Sequence, residues 1–497
     1  MQKSPLWLLL SVQAVVSAAS LVVEIVAGRM LAPYVGMSLY TWTSVIAVVL
    51  AGFSVGHWLG GMLAEYERRA ALRATGWAML AAGGSTAIAI VLLQQIAGPV
   101  LLAVDHPVWG IAVLAAMVFF LPSCFAGVPA PVLARFAVEG SDRSGRALGA
   151  IFAVGAVGAI GGTLLAGFLF ISWLGTAATL AVVTLAYVAA ALACFIMAGR
   201  GAIILPLLAG IIALGLAGLS VAAPNPCTSE SRYFCIRSIP VEGSEGAPVR
   251  LMVLDHLVHG LSARDRPKVM YTEHAAMLDA LSRLRSTRAD FTSFFIGGGT
   301  YSVPRAFAER NTGARTVAEI DPEVTRLAVR DFWFDPATAR ILHEDARRAL
   351  LTRPDDKYDI IMGDAFTDVT VPAHLVTQEF YELVASRLTP EGTFLMNVID
   401  YEDRLAALAS VARTLKEVFP VVEIWTNATR PDPGARVVFV LAAGQVETSQ
   451  GRIIASAPDP TEFAAMDPGW VATLMAERGI LLSDDYAPID RLIGRPD

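Results

Sequence analysis

Charged side chains are scarce in this sequence. Asp, Glu, Lys and Arg make up 17% of its 497 residues, while hydrophobic residues make up 55%, a balance outside the soluble range. The net charge is −7 and no basic stripe interleaves with aromatics, which excludes the nucleic-acid-binding class. Cysteine is nearly missing too: Cys124, Cys194, Cys227 and Cys235 are the whole set. None has His or Cys partners at zinc spacing, and no cluster of His, Cys and carboxylates suggests any other metal. His274 and His343 read as polar surface residues or supports behind a site. No nucleophile elbow and no phosphate-binding lysine loop occur. Cys124 and Cys194 sit in apolar segments and read as packing residues. Cys227 and Cys235 fall together at the start of the polar half, where a disulfide is open to them only in an oxidising compartment.

What is present divides sharply. From Leu6 to Ala223 apolar stretches recur, and from Glu230 onward the composition is that of a soluble α/β protein. A bilayer core takes roughly 20 apolar residues per helix. By that length, spans fall near 6–27, 39–63, 74–97, 108–136, 147–172, 175–198 and 201–222. The first is read as a span, not a signal peptide, because so many apolar segments follow it. Pro122, Pro129 and Pro131 predict a kinked or broken fourth helix. Gly52, Gly56 and Gly60, like Gly158 and Gly162, recur every fourth residue and place bare backbone on one helix face for close packing. Glu24, Arg29 and His57 are the polar residues within or beside spans, and Glu24 with Arg29 is a candidate ion pair. Lys3, Arg68, Arg69, Arg73, Arg135, Arg143, Arg146 and Arg200 fall on one side of this topology, with little beyond Arg29 on the other. The positive-inside rule then makes the N-terminus cytoplasmic, and an odd number of spans leaves the polar half outside.

The polar half begins after Ala222-Ala223-Pro224-Asn225-Pro226. Strand-like runs at 233–239 and 249–254 predict a small β-rich subdomain over 227–285. From Asp290 the pattern becomes strand, glycine turn, helix, strand, acid. Phe294-Phe295-Ile296 runs into Gly297-Gly298-Gly299, then a helix at 303–310, a strand ending at Glu319-Ile320-Asp321, and a helix from Pro322. This βαβ unit is a nucleoside-binding arrangement, in which glycines admit the ligand and the acid accepts hydrogen bonds from ribose hydroxyls. The third glycine of a dinucleotide fingerprint is missing, so the S-adenosylmethionine-type Rossmann fold fits better. The Rossmann-like domain is expected over 286–445, and 446–497 reads as a helical tail with loops.

Several motifs carry a resemblance: Leu254-Asp255, Tyr271 and Glu273 in "YTEH", "IGGG" at 296–299, "EIDP" at 319–322, "EDA" at 344–346, "YDIIMGDAF" at 358–366 and "HLVTQEFYE" at 374–382. With these, residues 227–445 resemble the polyamine aminopropyltransferases (spermidine synthases) in a membrane-fused form. Glu24 to Leu63 also looks like the segment that accompanies such domains in bacteria. The resemblance implies a substrate but no separate cofactor and no metal: decarboxylated S-adenosylmethionine, attacked by an amine at the carbon beside the sulfonium, with methylthioadenosine leaving. Carried over by position, Glu319 holds the ribose and Asp345, followed by Ala346, the adenine amino group. Asp364 serves the reacting end, with Tyr271 lining the same pocket, and Gly297, Gly298 and Gly299 let the nucleoside approach. It also implies a homo-oligomer, and with the spans a multi-pass protein of the bacterial inner membrane.

The departures fall around the acceptor. Thr300 stands where the family has an aspartate that holds the donor's free amine. Pro267 and Lys268 replace an acidic pair, His259 stands for a glutamine with His256 for a glycine, and the paired aspartates become Asp364 and Asp368. Polyamines need carboxylates, whereas these losses ease repulsion of a ligand that keeps its α-carboxylate, S-adenosylmethionine itself. The favoured expectation is therefore a lyase in which that carboxylate closes a homoserine lactone. Aminopropyl transfer comes next, then methyl transfer to a membrane-borne acceptor, then a non-catalytic nucleoside-binding membrane protein. Because S-adenosylmethionine is made in the cytoplasm, a cytoplasm-facing site is preferred despite the odd span count.

Overall fold

The computed structural model describes residues 5–199, 203–242, 248–367, 370–455 and 459–493. Lys3, Arg200 and Asp368 lie outside the described residues. The chain divides into two compact units, Met1–Cys235 and Ile236–Asp497.

The first unit is helical: α1 (Leu6–Val35), α2 (Leu39–Ala64), α3 (Arg68–Ala103), α4 (Pro107–Gly127), α5 (Pro129–Glu139), α6 (Ser144–Leu165), α7 (Ile171–Ala198) and α8 (Ile204–Ala222), closed by a two-residue strand β1 (Ser229–Glu230). Among the described residues, six helical stretches are long and apolar enough to cross a membrane. One of them joins α4 to α5 through Val128, where Pro129 and Pro131 supply no backbone N–H. The longest, Ser144–Ala198, has 55 residues and loses helical geometry at Gly175 (φ 74°, ψ 178°). Large apolar side chains such as Phe152, Ile160 and Phe168 near the middle of the unit's sequence and Ile211, Ile212 and Leu219 in α8 are exposed.

The glycine series act as close-packing faces. A Cβ on Gly56 would fall 2.0 Å from the Cys124 carbonyl oxygen, and one on Gly60 2.3 Å from that of Val128, so α2 lies backbone-to-backbone on α4. A Cβ on Gly158 or Gly162 would come within 2.3 and 2.2 Å of the Ala14 and Ala18 carbonyl oxygens, which seats α6 on α1 in the same way. Among the described residues no ion pair joins Glu24 to Arg29. The Arg29 guanidinium donates instead to the backbone carbonyls of Tyr233 and Ser231, because the chain beyond α8 folds back over the end of α1. That return is closed by a disulfide between Cys227 and Cys235. Glu230 adds to it, accepting from the backbone N–H and hydroxyl of Thr176 at 2.8 and 2.7 Å.

The second unit opens with an antiparallel meander, β2 (Cys235–Val241), β3 (Val249–Leu254) and β4 (Leu257–Ala263), of which β4 has no counterpart in the sequence reading. After α9 (Glu273–Arg285) comes the main sheet. Its strands are β5 (Ser293–Ile296), β6 (Arg315–Ala318), β7 (Arg340–Leu342), β8 (Tyr358–Gly363), β9 (Leu388–Tyr401), β10 (Val421–Asn427), β11 (Arg436–Gly444), β12 (Arg452–Ala455) and β13 (Thr461–Ala465). The order is β12-β13-β10-β11-β9-β8-β5-β6-β7. Strands β5 to β9 pair in parallel and the rest antiparallel. The segment expected as a helical tail therefore opens with two strands that extend the sheet. These strands are four and five residues long, Arg452–Ala455 and Thr461–Ala465, too short for a period of two to stand out in the sequence.

Alternation along the central strands sends side chains to two cores. Phe294 and Ile296 join one, with α12 (Ala346–Leu351), α13 (Gln378–Arg387) and α14 (Ala406–Val418), while Phe295 joins the other, with α9 and α10 (Ser302–Glu309). Helix starts are capped as their sequences dictate. Asp321 accepts from the Glu323 N–H at 3.0 Å ahead of Pro322 in α11 (Pro322–Asp331), and Asp345 from the Arg348 N–H at 2.9 Å in α12.

Candidate active site

In this sheet order β5 has β6 on one side and β8 on the other, so the chain's crossovers diverge there. The crevice beyond the carboxyl ends of these strands is where open α/β sheets hold ligands. The residues singled out from the sequence in the Rossmann part gather at it.

The glycine turn follows β5 directly. Gly297 has φ +92°, and a Cβ there would lie 2.6 Å from the Asp364 carbonyl oxygen. A Cβ on Gly298 would enter the Tyr301 ring at 2.3 Å. The turn thus presents bare backbone because neighbouring chain occupies the space a side chain would need. Tyr301 itself adopts φ 55°, a costly conformation for an aromatic residue. It is fixed there by a 2.7 Å hydrogen bond between its hydroxyl and that of Thr325 and by stacking on Phe334 with ring centroids 4.3 Å apart. His343 reaches the same Thr325 hydroxyl at 3.1 Å, which makes it a support behind the crevice.

Glu319 stands at the end of β6, buried. One carboxylate oxygen accepts the Gly298 N–H at 2.8 Å and the other the Asp321 N–H at 2.8 Å. Burial pushes its pKa up to about 7, against the pull of those N–H groups toward the ionised form. A carboxylate has about four lone-pair sites, so these N–H groups, with that of Gly299, do not exhaust its capacity to accept. Asp345, after β7, caps α12 and receives His374 Nε2 at 2.8 Å. That contact, helped by backbone N–H groups and opposed by burial, holds its carboxyl below the usual range. Ala346, in the first turn of α12, is buried beside it.

Asp364 closes β8. Its backbone N–H donates to Ile296 at 3.0 Å, and its Oδ1 accepts from Asn397 Nδ2 on β9 at 2.9 Å. Its Oδ2 lies 3.8 Å from His274 Nε2 in the first turn of α9. Tyr271 is half-buried, three residues before His274. His259, on β4, donates Nδ1–H to the Leu257 carbonyl at 3.0 Å, since a carbonyl can only accept. Burial, reinforced by His274, pushes its pKa down, while the Leu257 carbonyl and Asp364 oppose. Thr300 is buried, with its hydroxyl 2.6 Å from that of Ser302. Ser302 in turn meets the Ser262 hydroxyl at 2.9 Å and donates to the Leu261 carbonyl at 3.2 Å, so Thr300 is committed to holding α10 against β4.

Asn397, His374 and the Arg347–Asp484 pair were not anticipated. Asn397 did leave a signal, as the lone polar residue in the buried run Phe394-Leu395-Met396-Asn397-Val398. Asp484 takes two hydrogen bonds from Arg347 at 2.6 Å each and one from Thr377 at 2.8 Å. It ties the C-terminal segment to α12 and α13. Among the described residues no group of three or more His, Cys, Asp or Glu could hold a metal ion.

Comparison with known proteins fits this geometry. Residues 295–450 match the model of the spermine/spermidine synthase domain. The C-terminal unit is spermidine synthase-like, with a Rossmann domain of the S-adenosylmethionine type. A polyamine aminopropyltransferase of Vibrio vulnificus is 29% identical over 212 residues, 40% of this chain and 67% of that protein. A probable polyamine aminopropyl transferase of Bifidobacterium longum is 32% identical over 127 residues, 25% of this chain and 27% of its own length. An N-terminal histidine N-methyltransferase of Emericella nidulans is 30% identical over 206 residues, 37% of this chain and 36% of its own. The matched region thus spans about a third or less of the last two relatives. Among solved structures, a probable spermidine synthase from Corynebacterium glutamicum aligns at 21% identity and TM-score 0.46, over 53% of this chain and 97% of that one. The spermidine synthase-like domain carries Glu319, Asp345 and Asp364; Tyr271 and His259 precede the matched residues.

Proposed function

We propose that the C-terminal unit transfers an alkyl group from an adenosyl sulfonium donor to an amine, in the manner of an aminopropyltransferase. The observation that carries this reading is the row of carboxylates Glu319, Asp345 and Asp364, beyond the ends of β6, β7 and β8 and around a side-chain-free turn. Glu319 would accept the ribose hydroxyls and Asp345 the adenine amino group. Asp364, held by Asn397, would orient the attacking amine and favour positive charge at the reacting centre. The amine lone pair bonds to the carbon beside sulfur, the C–S pair returns to sulfur, and a neutral thioether nucleoside leaves. A sulfonium is already a good leaving group, so alignment is the chief demand.

The lyase expectation loses ground to this reading, because the relatives found are transferases. Methyl transfer stays as a second reading, favoured by Thr300 in place of the family's aspartate and by the methyltransferase relative. Product identity separates the three. Full-length protein incubated with decarboxylated S-adenosylmethionine and amine should release methylthioadenosine. S-adenosylhomocysteine from S-adenosylmethionine would establish methyl transfer, and methylthioadenosine from S-adenosylmethionine alone would restore the lyase.

For the membrane unit we propose seven crossings with the catalytic unit leaving on the outer face. A helix of 55 residues at 1.5 Å each would exceed about 80 Å, against a hydrocarbon core of about 30 Å, so the break at Gly175 is read as a reversal. Contacts group the ends accordingly. Arg69 donates to the Ala198 carbonyl and Arg135 to that of Tyr66, at the end rich in arginine. Thr176 meets Glu230, and Gln94 meets the Pro224 carbonyl, at the end where the disulfide lies. The positive-inside rule makes the first end cytoplasmic, and a disulfide suits an oxidising compartment at the other. Both lines oppose the cytoplasm-facing preference drawn from the substrate's origin. In Cys235→Ala, the Cys227 thiol should react with a membrane-impermeant maleimide on intact cells; reaction only after lysis would reverse the orientation.

A further inference from the structure

The helical unit gathers arginines at one end, and two of them share a single aromatic ring. Arg68 opens α3, and Arg135 lies in α5, which packs on both α2 and α3. Their guanidinium carbons stand 5.0 and 5.5 Å from the centroid of Phe136, a ring buried in the helical core. The ring face attracts each cation but has no net charge, so two like charges are held close together without being neutralised by it.

The two guanidiniums are fixed to different degrees. Arg135 Nε donates to Glu139 Oε1 at 2.7 Å and Nη1 to the Tyr66 carbonyl at 3.0 Å, which places it over the loop that leads into α3. Arg68 Nη2 is buried and has no hydrogen-bond partner among the described residues. A charged N–H without an acceptor is costly. The side chain as a whole is half-buried, so a small rotation turns that N–H toward an acceptor at the surface. Helix α3 also begins there without a side-chain cap, so the positive end of its dipole and its first backbone N–H groups add to the field. The carboxylates of the adjoining loops do not cancel it. Glu65, Glu67 and Asp142 are exposed, where water and salt screen them, and Glu139 is spent on orienting Arg135.

An oxyanion with several acceptor oxygens fits this arrangement, because a guanidinium meets phosphate through paired N–H bonds. The surroundings favour a lipid-borne phosphate over a free one. Tyr66 is exposed on the loop, as are Trp58 and Met62 in the last turns of α2 and Trp77 in α3. Tyrosine and tryptophan mark the headgroup level of spanning helices, where basic pockets between helices suit anionic headgroups.

We infer that Arg68, Arg135 and the start of α3 form a binding site for the phosphate of an anionic phospholipid, whose acyl chains lie on apolar helix surface. This site is independent of the transferase reading, since every residue in it belongs to the helical unit.

The test titrates full-length protein in neutral detergent with phosphatidylglycerol, phosphatidylcholine or inorganic phosphate, and counts bound molecules by native mass spectrometry. Phosphatidylglycerol should bind at least about tenfold more tightly than phosphatidylcholine, and millimolar inorganic phosphate should not displace it. The double variant Arg68→Gln, Arg135→Gln should lose that preference, while Arg143→Gln, Arg146→Gln, at exposed positions just beyond α5, should keep it. Should the first variant fail to give a monodisperse peak, Arg68→Lys, Arg135→Lys replaces it; this pair keeps the charges without the planar fork and should bind at least about threefold more weakly than the parent. Equal binding of the two lipids, displacement by phosphate, or unchanged preference in the Arg68 and Arg135 variants overturns the inference. Equal loss in the Arg143 and Arg146 variant also overturns it, by reducing the site to a diffuse positive field.

Discussion

Glycine does opposite work in the two units. In the helical unit Gly56, Gly60, Gly158 and Gly162 keep ordinary helical dihedrals, and the missing side chain lets a neighbouring backbone approach. At the turn after β5 Gly297 adopts a positive φ, and the bare backbone faces the proposed ligand position. The first use builds shape without chemistry, and the second exposes N–H groups that carboxylates and ligands can use. The same contrast holds for charge. In the helical unit Arg29 and Glu230 are spent on backbone carbonyls and N–H groups, whereas Glu319, Asp345 and Asp364 stand just beyond the ends of β6, β7 and β8.

The contrast breaks most visibly at the helix faces. Gly56→Leu would drive a side chain into the Cys124 carbonyl and should cost about 3 kcal/mol or more, seen as loss of a monodisperse peak in detergent. Gly61→Leu, five residues on with nothing within 4 Å of its Cβ position, should behave like the parent. Equal behaviour of the two would refute the packing role. Next in size is Asp364→Asn, expected to lower kcat on the order of 100- to 1,000-fold with methylthioadenosine affinity nearly unchanged in calorimetry. A parallel loss of nucleoside binding would move Asp364 from the reacting end to the nucleoside.

Smaller effects sharpen the comparison. His374→Ala removes the group that most lowers the Asp345 pKa. Since a depressed carboxylate contributes stability above its unfolded pKa and loses it as pH falls, the variant should lose its deficit relative to the parent below about pH 4. With both side chains partly exposed the difference should be about 1 kcal/mol or less, read from urea melts at pH 7 and pH 3. Smallest of all, Arg347→Met should cost no more than about 1 kcal/mol and leave kcat intact. A large fall in kcat would make the C-terminal segment part of the working site.

Much of this was legible in the sequence because the signals were local. A βαβ unit announces itself through Phe294-Phe295-Ile296, the glycines and Glu319 within one stretch, and the spans announce themselves by length. What escaped depends on contacts distant in sequence. Asn397 matters because β9 lies beside β8, and His374 because its loop passes over Asp345. Arg29 meets the Ser231 and Tyr233 carbonyls over a separation of about 200 residues, so a nearby glutamate looked the better partner. The strands β12 and β13 were hidden by their shortness. His259 was visible as a departure from the family pattern and His274 only as part of a matching motif, but only the fold brings β4 and α9 to the same carboxylate.

The proposed nucleoside site is tested most directly by titrating methylthioadenosine into the full-length protein and Glu319→Gln between pH 5.5 and 8.5. Glu319 must be ionised to accept both ribose hydroxyls, and its folded pKa is raised to about 7. Affinity in the parent should therefore rise with pH through about 7 and level off above it. Glu319→Gln should bind on the order of 10- to 100-fold more weakly above pH 7, the worth of a hydrogen bond to a charged group, with no pH dependence in that range. Affinity that is flat with pH in the parent, and equal in the variant, would contradict the assignment of this crevice as the site of a sulfonium nucleoside.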